Sequence, residues 1–135
     1  MHITQETDYA IRIVYCLAKS GGRRDARSIS EEMCVTLRFS LKILGKLVAG
    51  GIVNSHKGNR GGYELAKPPE EISLKDVIEA VEGPYRLVRC LGGDPCNRGA
   101  SGTCRFQEVF RDITGEINEK LAGVSFADLL APKTT

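Results

Sequence analysis

The sequence has no tryptophan, only two histidines and no apolar run long enough to cross a membrane. Because a membrane-spanning helix needs about 20 consecutive apolar residues, a helical membrane protein is excluded. The first six residues lack the basic region and the apolar run of an export signal. We therefore expect a cytoplasmic protein with no membrane partner.

Common enzyme motifs are missing too. The sequence contains no P-loop, no H-E-x-x-H and no G-x-S-x-G. His2 and His56 lie in a predicted tail and a predicted strand, without the context of a catalytic nucleophile. An enzyme is therefore not expected.

Cysteine, in contrast, is frequent, with five residues in a chain of 135. Thiols of cytoplasmic proteins stay reduced, and an odd number does not fit a framework of paired disulfides. The cysteine content therefore indicates metal or redox chemistry.

The net charge is only +2, but the basic residues are concentrated in one part of the chain. Residues 1–35 are neutral in sum, residues 36–67 carry six basic residues and one acidic residue, and residues 68–135 are net acidic. The phosphate backbone of DNA requires such a local positive field, although a merely solvated face would show the same excess.

Apolar spacing predicts three helices in the first part of the chain. The first covers residues 5–20 and ends at a glycine pair. Ser28 and Glu31 form a capping-box pattern that opens a short helix reaching about Cys34. The next helix has Thr36 as its N-cap and ends at a second glycine pair. Its apolar side is expected to comprise Leu37, Leu41, Leu44, Leu47 and Val48.

A short helix followed closely by a basic helix predicts a helix-turn-helix motif. Residues 52–56 and 63–66 are predicted to be strands joined by a glycine-rich turn, which makes a hairpin directly after the basic helix. This hairpin is typical of a wing. Ser73 and Asp76 then form a capping pattern for a further helix, which ends at a glycine-proline pair.

A long helix is predicted after a glycine-rich loop, and its apolar residues recur every three or four positions. They are Phe106, Val109, Phe110, Ile113, Ile117 and Leu121, and they form a seam suited to a partner helix. Ser125 and Asp128 cap a short terminal helix. The predicted fold is mainly α with a small β-hairpin wing. It divides into a winged helix-turn-helix domain (1–82), a cysteine-rich loop (83–104), and a dimerisation helix with a tail (105–135).

Three cysteines share the glycine-rich loop with C-x5-C-x7-C spacing, namely Cys90, Cys96 and Cys104. Thiolates are preferred ligands of both iron–sulfur clusters and zinc, but zinc sites usually contain a C-x2-C pair, which this loop lacks. The spacing therefore favours an iron–sulfur cluster, of the two-iron two-sulfur or four-iron four-sulfur type. The alternative is three free thiols on a surface loop.

Three thiolates leave a fourth position to be filled. The candidates are Asp8, His2, Glu6, Gln107 and Glu108. Cys16 and Cys34 are expected to lie within helices and to be structural, because helical cysteines commonly behave as small buried hydrophobes.

The basic helix is expected to enter the major groove of DNA by its N-terminus. The candidate base readers are Thr36, Arg38 and Phe39, of which Arg38 suits guanine and Phe39 could equally be core. The candidate backbone contacts on the helix are Ser40, Lys42 and Lys46, although Lys46 could equally be a solvated surface residue. Lys57 and Arg60 of the wing are further candidates and could also reach the minor groove. A dimer would present two such helices to a palindromic operator.

Together these segments resemble the Rrf2 superfamily of bacterial regulators over nearly the whole chain. The resemblance rests on the start MHITQETDYAIR, the segment TLRFSLKILGKLVAGGIV, the wing KGNRGGYELA, the segment ISLKDVIEAVEG and the three cysteines. Iron–sulfur members include the IscR, RirA and NsrR types. The resemblance implies a homodimer paired through the long helix, with a cluster whose state controls DNA affinity.

Two positions bear on the fourth ligand. IscR-type members have a histidine three residues after the last cysteine, where this sequence has Gln107. The segment TDYAIR is similar to the start of NsrR-type members, in which an aspartate at the position of Asp8 reaches the partner subunit's cluster and an arginine matches Arg12. The resemblance therefore favours Asp8, and the alternative is an ordinary acid in the first turn of a helix.

The sequence thus predicts a DNA-binding transcriptional regulator whose cluster responds to redox, nitric oxide or iron status. One alternative is a cluster-free regulator of the same superfamily that responds to thiol oxidation or to a protein partner. A small iron–sulfur redox carrier is an alternative of another class, although a carrier has no need of a basic helix and a wing. The third alternative is a structural zinc protein.

Overall fold

The computed structural model of the chain describes residues 2–88, 91 and 104–132. In this part of the chain the helices are α1 (Gln5–Ser20), α2 (Ala26–Met33), α3 (Leu37–Ala49), α4 (Leu74–Glu82), α5 (Arg105–Ala122) and α6 (Phe126–Leu130), with a 3-10 turn at Pro69–Glu71. The strands β1 (Val53–His56) and β2 (Gly62–Leu65) pair as an antiparallel hairpin. No helix within these ranges is long and apolar enough to span a membrane.

Helix α1 has the predicted bounds and lies at the centre of the fold. The hydroxyl of its N-cap, Thr4, accepts a hydrogen bond from the Thr7 amide at 3.2 Å, and Gly21 ends the helix with a left-handed φ of 71°. The apolar stripe of α1 is at most 1% exposed and belongs to the core, which it shares with α3, α4 and β1. The stripe comprises Ala10, Ile13, Val14 and Leu17.

Helix α2 starts earlier than predicted. Its N-cap is Asp25, whose carboxylate accepts a hydrogen bond from the Ser28 amide at 2.6 Å. The predicted capping box that starts at Ser28 is therefore wrong. Aspartate is as strong an N-cap as serine, and here the aspartate three residues earlier takes the cap position, so that Ser28 lies inside the first turn.

Helix α3 begins as predicted, because the Thr36 hydroxyl accepts a hydrogen bond from the Phe39 amide at 3.2 Å. Its buried face differs from the prediction, however, and comprises Ser40, Ile43, Leu44 and Leu47. Leu41 is 45% exposed and Leu37 is partly exposed, so their predicted places in the core are wrong. The face that packs on α1 is rotated around the helix relative to the predicted one.

The starts of helices α4 and α6 are joined by backbone hydrogen bonds, because Ser73 and Ser125 form an isolated antiparallel bridge. The predicted capping boxes at Ser73 and Ser125 are both present. The Phe126 amide donates to the Ile72 carbonyl at 2.9 Å, and the Phe126 ring is fully buried in the same core as α1. The C-terminal helix therefore packs against the N-terminal part of the chain.

Helix α5 has one side towards the protein and one side at the surface. On the inner side, the Thr114 hydroxyl accepts a hydrogen bond from the Leu87 amide at 3.3 Å. On the outer side, Val109 is 47% and Ile113 is 40% exposed. Of the predicted apolar seam, Phe106, Val109 and Ile113 are thus exposed, whereas Phe110, Ile117 and Leu121 are partly buried.

Candidate nucleic-acid interface

The N-terminal end of α3 opens onto a surface depression lined by Thr36, Arg38, Phe39 and Lys42. Arg38 and Lys42 are exposed there. The positive end of a helix dipole and two cations together make a surface that attracts phosphate. The fold thus brings together four of the predicted DNA-contacting residues.

Thr36 caps α3 and remains exposed. Its oxygen accepts the hydrogen bond from the Phe39 amide. A hydroxyl that accepts one hydrogen bond still has a proton to donate, so the cap is compatible with a contact to a base edge. The local sequence thus makes Thr36 the cap of α3, and its contact with a base stays a prediction.

Phe39 is half-buried. Its ring meets the Tyr9 ring edge-on with the centroids 5.6 Å apart, and Lys42 Nζ lies 5.7 Å from the centroid of the Phe39 ring. Tyr9 belongs to α1, so Phe39 packs against the helix at the centre of the fold while it also lines the depression. The structure therefore shows Phe39 partly packed on the core, and its role as a base reader stays a prediction.

Ser40 lies on the inner side of α3. Its side chain is 0% exposed, and its hydroxyl has no hydrogen-bond partner in the described part of the chain. The predicted phosphate contact of Ser40 is therefore wrong, because the side chain is enclosed in the protein. The apolar spacing of the helix did not reveal this, since serine is small enough to enter the core.

Glu6 of α1 reaches two lysines of α3. Its Oε1 lies 2.7 Å from Lys46 Nζ and 4.0 Å from Lys42 Nζ. Lys46 is therefore engaged in an ion pair, whereas Lys42 retains 59% of its side-chain surface. Of the two lysines, Lys42 is the better placed for a phosphate.

The wing tip carries Lys57 and Arg60, both exposed, between β1 and β2. The turn is tight, because the Gly61 amide donates to the Gly58 carbonyl at 2.9 Å. A Cβ at Gly61 would lie 2.6 Å from the His56 carbonyl oxygen, so this position requires glycine. The two cations are thus held on one short loop.

Two arginines of the α1–α2 turn, Arg23 and Arg24, contact the wing. The backbone of Arg24 exchanges hydrogen bonds of 2.9 and 2.8 Å with Tyr63 of β2. Arg23 Nη1 donates to the Arg60 carbonyl at 3.2 Å, and Arg23 Nε lies 3.6 Å from Glu64 Oε1. In the sequence only a local arginine pair marks these residues, and their partners in the wing lie 37 or more positions away, so that no local pattern predicts the contact.

The predicted metal ligands are described only in part. Cys104 is the N-cap of α5, is partly exposed, and makes no side-chain cap hydrogen bond. Cys90 and Cys96 lie outside the described residues. Within the described ranges, no three histidine, cysteine, aspartate or glutamate side chains are grouped as a metal site.

Asp8 lies in the first turn of α1 and is half exposed. Its Oδ2 accepts a hydrogen bond from Arg12 Nη2 at 2.8 Å, one helical turn further on. The Arg12 guanidinium also lies 5.1 Å from the centroid of the Tyr9 ring. Asp8 is therefore accessible from outside and held in place by Arg12.

The two remaining cysteines differ from each other. Cys16 is fully buried as predicted, and its thiol donates to Glu32 Oε2 at 2.6 Å. Burial, reinforced by this hydrogen bond, raises the pKa of Cys16 to about 11, so that the thiol stays protonated at neutral pH. Cys34 is exposed and ends α2 with a left-handed φ of 58°, so the prediction of a structural cysteine within a helix is wrong for Cys34.

Comparison with known proteins gives the family of this fold. The profile of the Rrf2 family, described as an iron-dependent transcriptional regulator, matches residues 3–132. The HTH-type transcriptional regulator IscR of Aliivibrio salmonicida (strain LFI1238) is 30% identical over 132 residues, which cover 96% of this chain and 77% of that protein.

Two solved structures have a similar fold. IscR of T. potens has a TM-score of 0.74 at 23% identity, covering 96% of this chain and 86% of that one. CymR (YrzC), described as the global cysteine regulator of B. subtilis, has a TM-score of 0.78 at 24% identity, covering 96% and 95%. The predicted winged-helix fold is thereby confirmed.

Proposed function

The chain belongs to the Rrf2 family of DNA-binding transcriptional regulators, which are not enzymes, and we propose that α3 reads operator DNA from the major groove. The observation that carries this proposal is the open N-terminal end of α3, where Thr36, Arg38 and Phe39 line one depression. Arg38 is the candidate reader of guanine, since a guanidinium can donate two hydrogen bonds to its O6 and N7 atoms. Since bacterial DNA lies in the cytoplasm, the proposal places the protein there.

Phosphate contacts are assigned to the exposed cations around this end. Lys42 lies beside the base readers, and Lys57 and Arg60 project from the wing towards the backbone or the adjacent minor groove. Such contacts position the protein on DNA without reading its sequence, and each makes the affinity more sensitive to salt.

The second part of the proposal is a homodimer formed through α5. It is supported by the exposed apolar side chains Val109 and Ile113, which a second copy of the same helix would remove from water. A two-fold axis through paired helices would place two copies of α3 on a palindromic operator.

The third part is an iron–sulfur cluster, two-iron or four-iron, held by Cys90, Cys96 and Cys104. Cys104 fits this role because its thiol is not used in capping α5 and lies at the helix end where negative charge is favoured. The description of the family as iron-dependent also supports it. When bound, the cluster would supply a centre that responds to iron, redox state or nitric oxide.

Asp8 of the partner subunit is the proposed fourth ligand. Its half-exposed carboxylate can be approached from outside, but it would have to share or give up its hydrogen bond to Arg12. The order of the segments along the chain suggests how the cluster would control DNA binding. The proposed cluster loop, residues 83–104, joins the DNA-binding domain (1–82) to the dimerisation helix α5, and α6 returns the chain to the core of that domain. The state of the loop would therefore set the position of α5 and with it the spacing of the two recognition helices.

Anaerobic purification followed by analysis of iron, acid-labile sulfide and zinc tests the cluster. We expect coloured protein that contains iron and sulfide, and loss of colour when Cys90, Cys96 and Cys104 are each replaced by alanine. Cys16→Ala is the control that should keep its colour, because Cys16 is buried against Glu32. Zinc without iron or sulfide, or no metal at all, would overturn this part of the proposal.

Asp8→Ala tests the fourth ligand separately. We expect a changed absorbance spectrum or reduction potential in coloured protein, because the ligand set changes. An unchanged spectrum, potential and cluster stability would remove Asp8 from the ligand set and leave its ion pair with Arg12 as its role.

A cluster-free regulator is the second candidate. The likeness to CymR, described as a global cysteine regulator, and the exposed thiol of Cys34 favour it. In that case anaerobic protein would be colourless, and its DNA affinity would change on thiol oxidation or on binding a protein partner. The third possibility, a small iron–sulfur redox carrier, does not fit a family of transcriptional regulators.

A further inference from the structure

We infer that Arg23 is a positioning residue of the DNA interface, which fixes the wing tip and thereby Arg60, with Glu64 holding the Arg23 side chain. The inference rests on the proposed function in that the wing contacts DNA. Arg23 lies outside the basic segment of residues 36–67, and the fold brings it to the wing from the α1–α2 turn.

The contact that carries the inference reaches the backbone of the wing tip. Arg23 Nη1 donates to the Arg60 carbonyl oxygen at 3.2 Å. Because the acceptor is main-chain, the hydrogen bond restrains the loop itself and leaves the Arg60 side chain available for DNA. Fixing a loop in advance reduces the entropy lost when it is ordered on binding.

Glu64 explains how Arg23 is kept in place. Glu64 is the one acidic residue among residues 36–67, and an unpaired carboxylate there would repel phosphate. Its Oε1 lies 3.6 Å from Arg23 Nε and 2.7 Å from His56 Nε2. The Glu64 carboxylate thus contacts Arg23 of the α1–α2 turn and His56 of β1.

The base of the wing is fixed independently of the Arg23 side chain. Arg24 and Tyr63 exchange two backbone hydrogen bonds, and a Cβ at Gly62 would lie only 2.7 Å from the Arg24 carbonyl oxygen. Gly62 also has a φ of 144°, which favours glycine. Removing the Arg23 side chain should therefore loosen the tip while the hairpin remains formed.

A double-mutant cycle on Arg23 and Arg60 tests the inference. The wild-type protein first selects a duplex from a random pool, and an unrelated duplex of equal length serves for non-specific binding. In the wild type, Arg60→Ala should weaken specific binding about tenfold, as expected for one charge-assisted hydrogen bond. In the Arg23→Ala background the same change should cost less than about twofold, because the tip is already displaced.

Two controls separate positioning from loss of charge or of fold. Lys19→Ala removes an exposed cation near the same turn and should change the affinity less than about twofold. Arg23→Lys, which keeps the charge and a donor for the Arg60 carbonyl, should recover most of the loss. Each variant should keep the thermal midpoint of the wild type, because the Arg23 side chain is 45% exposed.

Glu64→Gln gives a second readout, the ratio of specific to non-specific affinity, which the loss of charge alone would leave unchanged. Removing an acid from the interface should strengthen binding to every duplex, whereas release of Arg23 should lower the ratio of specific to non-specific affinity. We expect the ratio to fall.

Equal costs of Arg60→Ala in both backgrounds, or no cost of Arg60→Ala in the wild type, would overturn the inference. An unchanged or higher affinity ratio in Glu64→Gln would do the same. If the wild-type protein selects no sequence from the pool, the proposed function itself fails, which is a distinct result.

Discussion

Two buried serines have opposite environments. The Ser30 hydroxyl donates to the Arg27 carbonyl at 2.7 Å, whereas the Ser40 hydroxyl has no partner in the described part of the chain. A buried hydroxyl without a partner costs about 1–3 kcal/mol, while a satisfied one contributes to stability. The same substitution should therefore have opposite effects at the two positions.

Ser40→Ala should raise the free energy of unfolding by about 1 kcal/mol and leave DNA affinity unchanged, because it removes an unsatisfied group from the core. Ser30→Ala, the matched control, should lower the free energy of unfolding by about 1 kcal/mol, since it removes a formed hydrogen bond. Urea denaturation and binding to the selected duplex measure both quantities. A loss of affinity in Ser40→Ala without a loss of stability would restore the phosphate contact.

The buried thiol of Cys16 should make the free energy of unfolding depend on pH in the alkaline range. In the unfolded chain a thiol ionises near pH 8.5, whereas in the folded protein the pKa of Cys16 is raised to about 11 by burial. The contribution of the protonated thiol is therefore complete below the unfolded pKa and is lost as pH rises towards the folded pKa.

The stability of the wild type relative to Cys16→Ala should accordingly decrease between about pH 8.5 and about pH 11. Urea denaturation at a series of pH values measures it. A pH-independent difference between wild type and Cys16→Ala would contradict the assigned environment.

Sequence patterns predicted which charged residues are exposed, but not which small polar residue is buried. The exposed cations Arg38, Lys42 and Arg60 are where the patterns placed them. Ser40 is not, because neighbouring positions on a helix differ by about 100° and a small rotation of the buried face decides which residue enters the core. That rotation depends on packing against α1, which the sequence of α3 does not contain.

At the scale of the element, helix boundaries were predictable where one cap dominates. Thr36, Ser73 and Ser125 cap their helices as predicted, because capping is a contact within three residues. The start of α2 was not predictable in this way, since Asp25 and Ser28 compete for the cap. The start of a helix can therefore be predicted from the local sequence, except where two nearby residues can both act as the N-cap.

The exposed apolar side chains of α5 allow dimerisation through this helix to be tested by substitution. Ile113→Lys should weaken dimerisation at least about a hundredfold, because the variant would place an unpaired charge in the apolar seam of both subunits. Asp112→Lys, at an exposed neighbouring position, should leave the dimer intact. Sedimentation equilibrium over a range of concentrations distinguishes the two, and an unchanged dimer in Ile113→Lys would place the interface elsewhere.

At the scale of the whole molecule, the contacts that organise the site are long-range. Arg23 reaches Arg60 from 37 positions away, and Phe126 near the C-terminus fills the core around α1. Neither contact leaves a local signature, so periodicity and capping could predict the elements but not how α6 and the wing are supported. The wing motif itself was predictable because its turn chemistry is local.

The same long-range contacts connect the proposed regulatory and DNA-binding parts. Cys104 begins α5, α5 is followed by α6, and α6 is anchored in the core that supports α1 and α3. A change at the start of α5 would therefore act on elements that are packed together. Coupling between the two sites further requires that α5 takes two arrangements, which the state of the proposed cluster would select.

The most direct test of this account is the affinity of the anaerobically purified protein for its selected duplex, before and after removal of the cluster, at one fixed salt concentration. The account predicts that the two affinities differ at least about tenfold, a coupling typical of allosteric proteins, and that Cys104→Ala matches the cluster-free form. Equal affinities of the two forms would contradict control of DNA binding by the cluster.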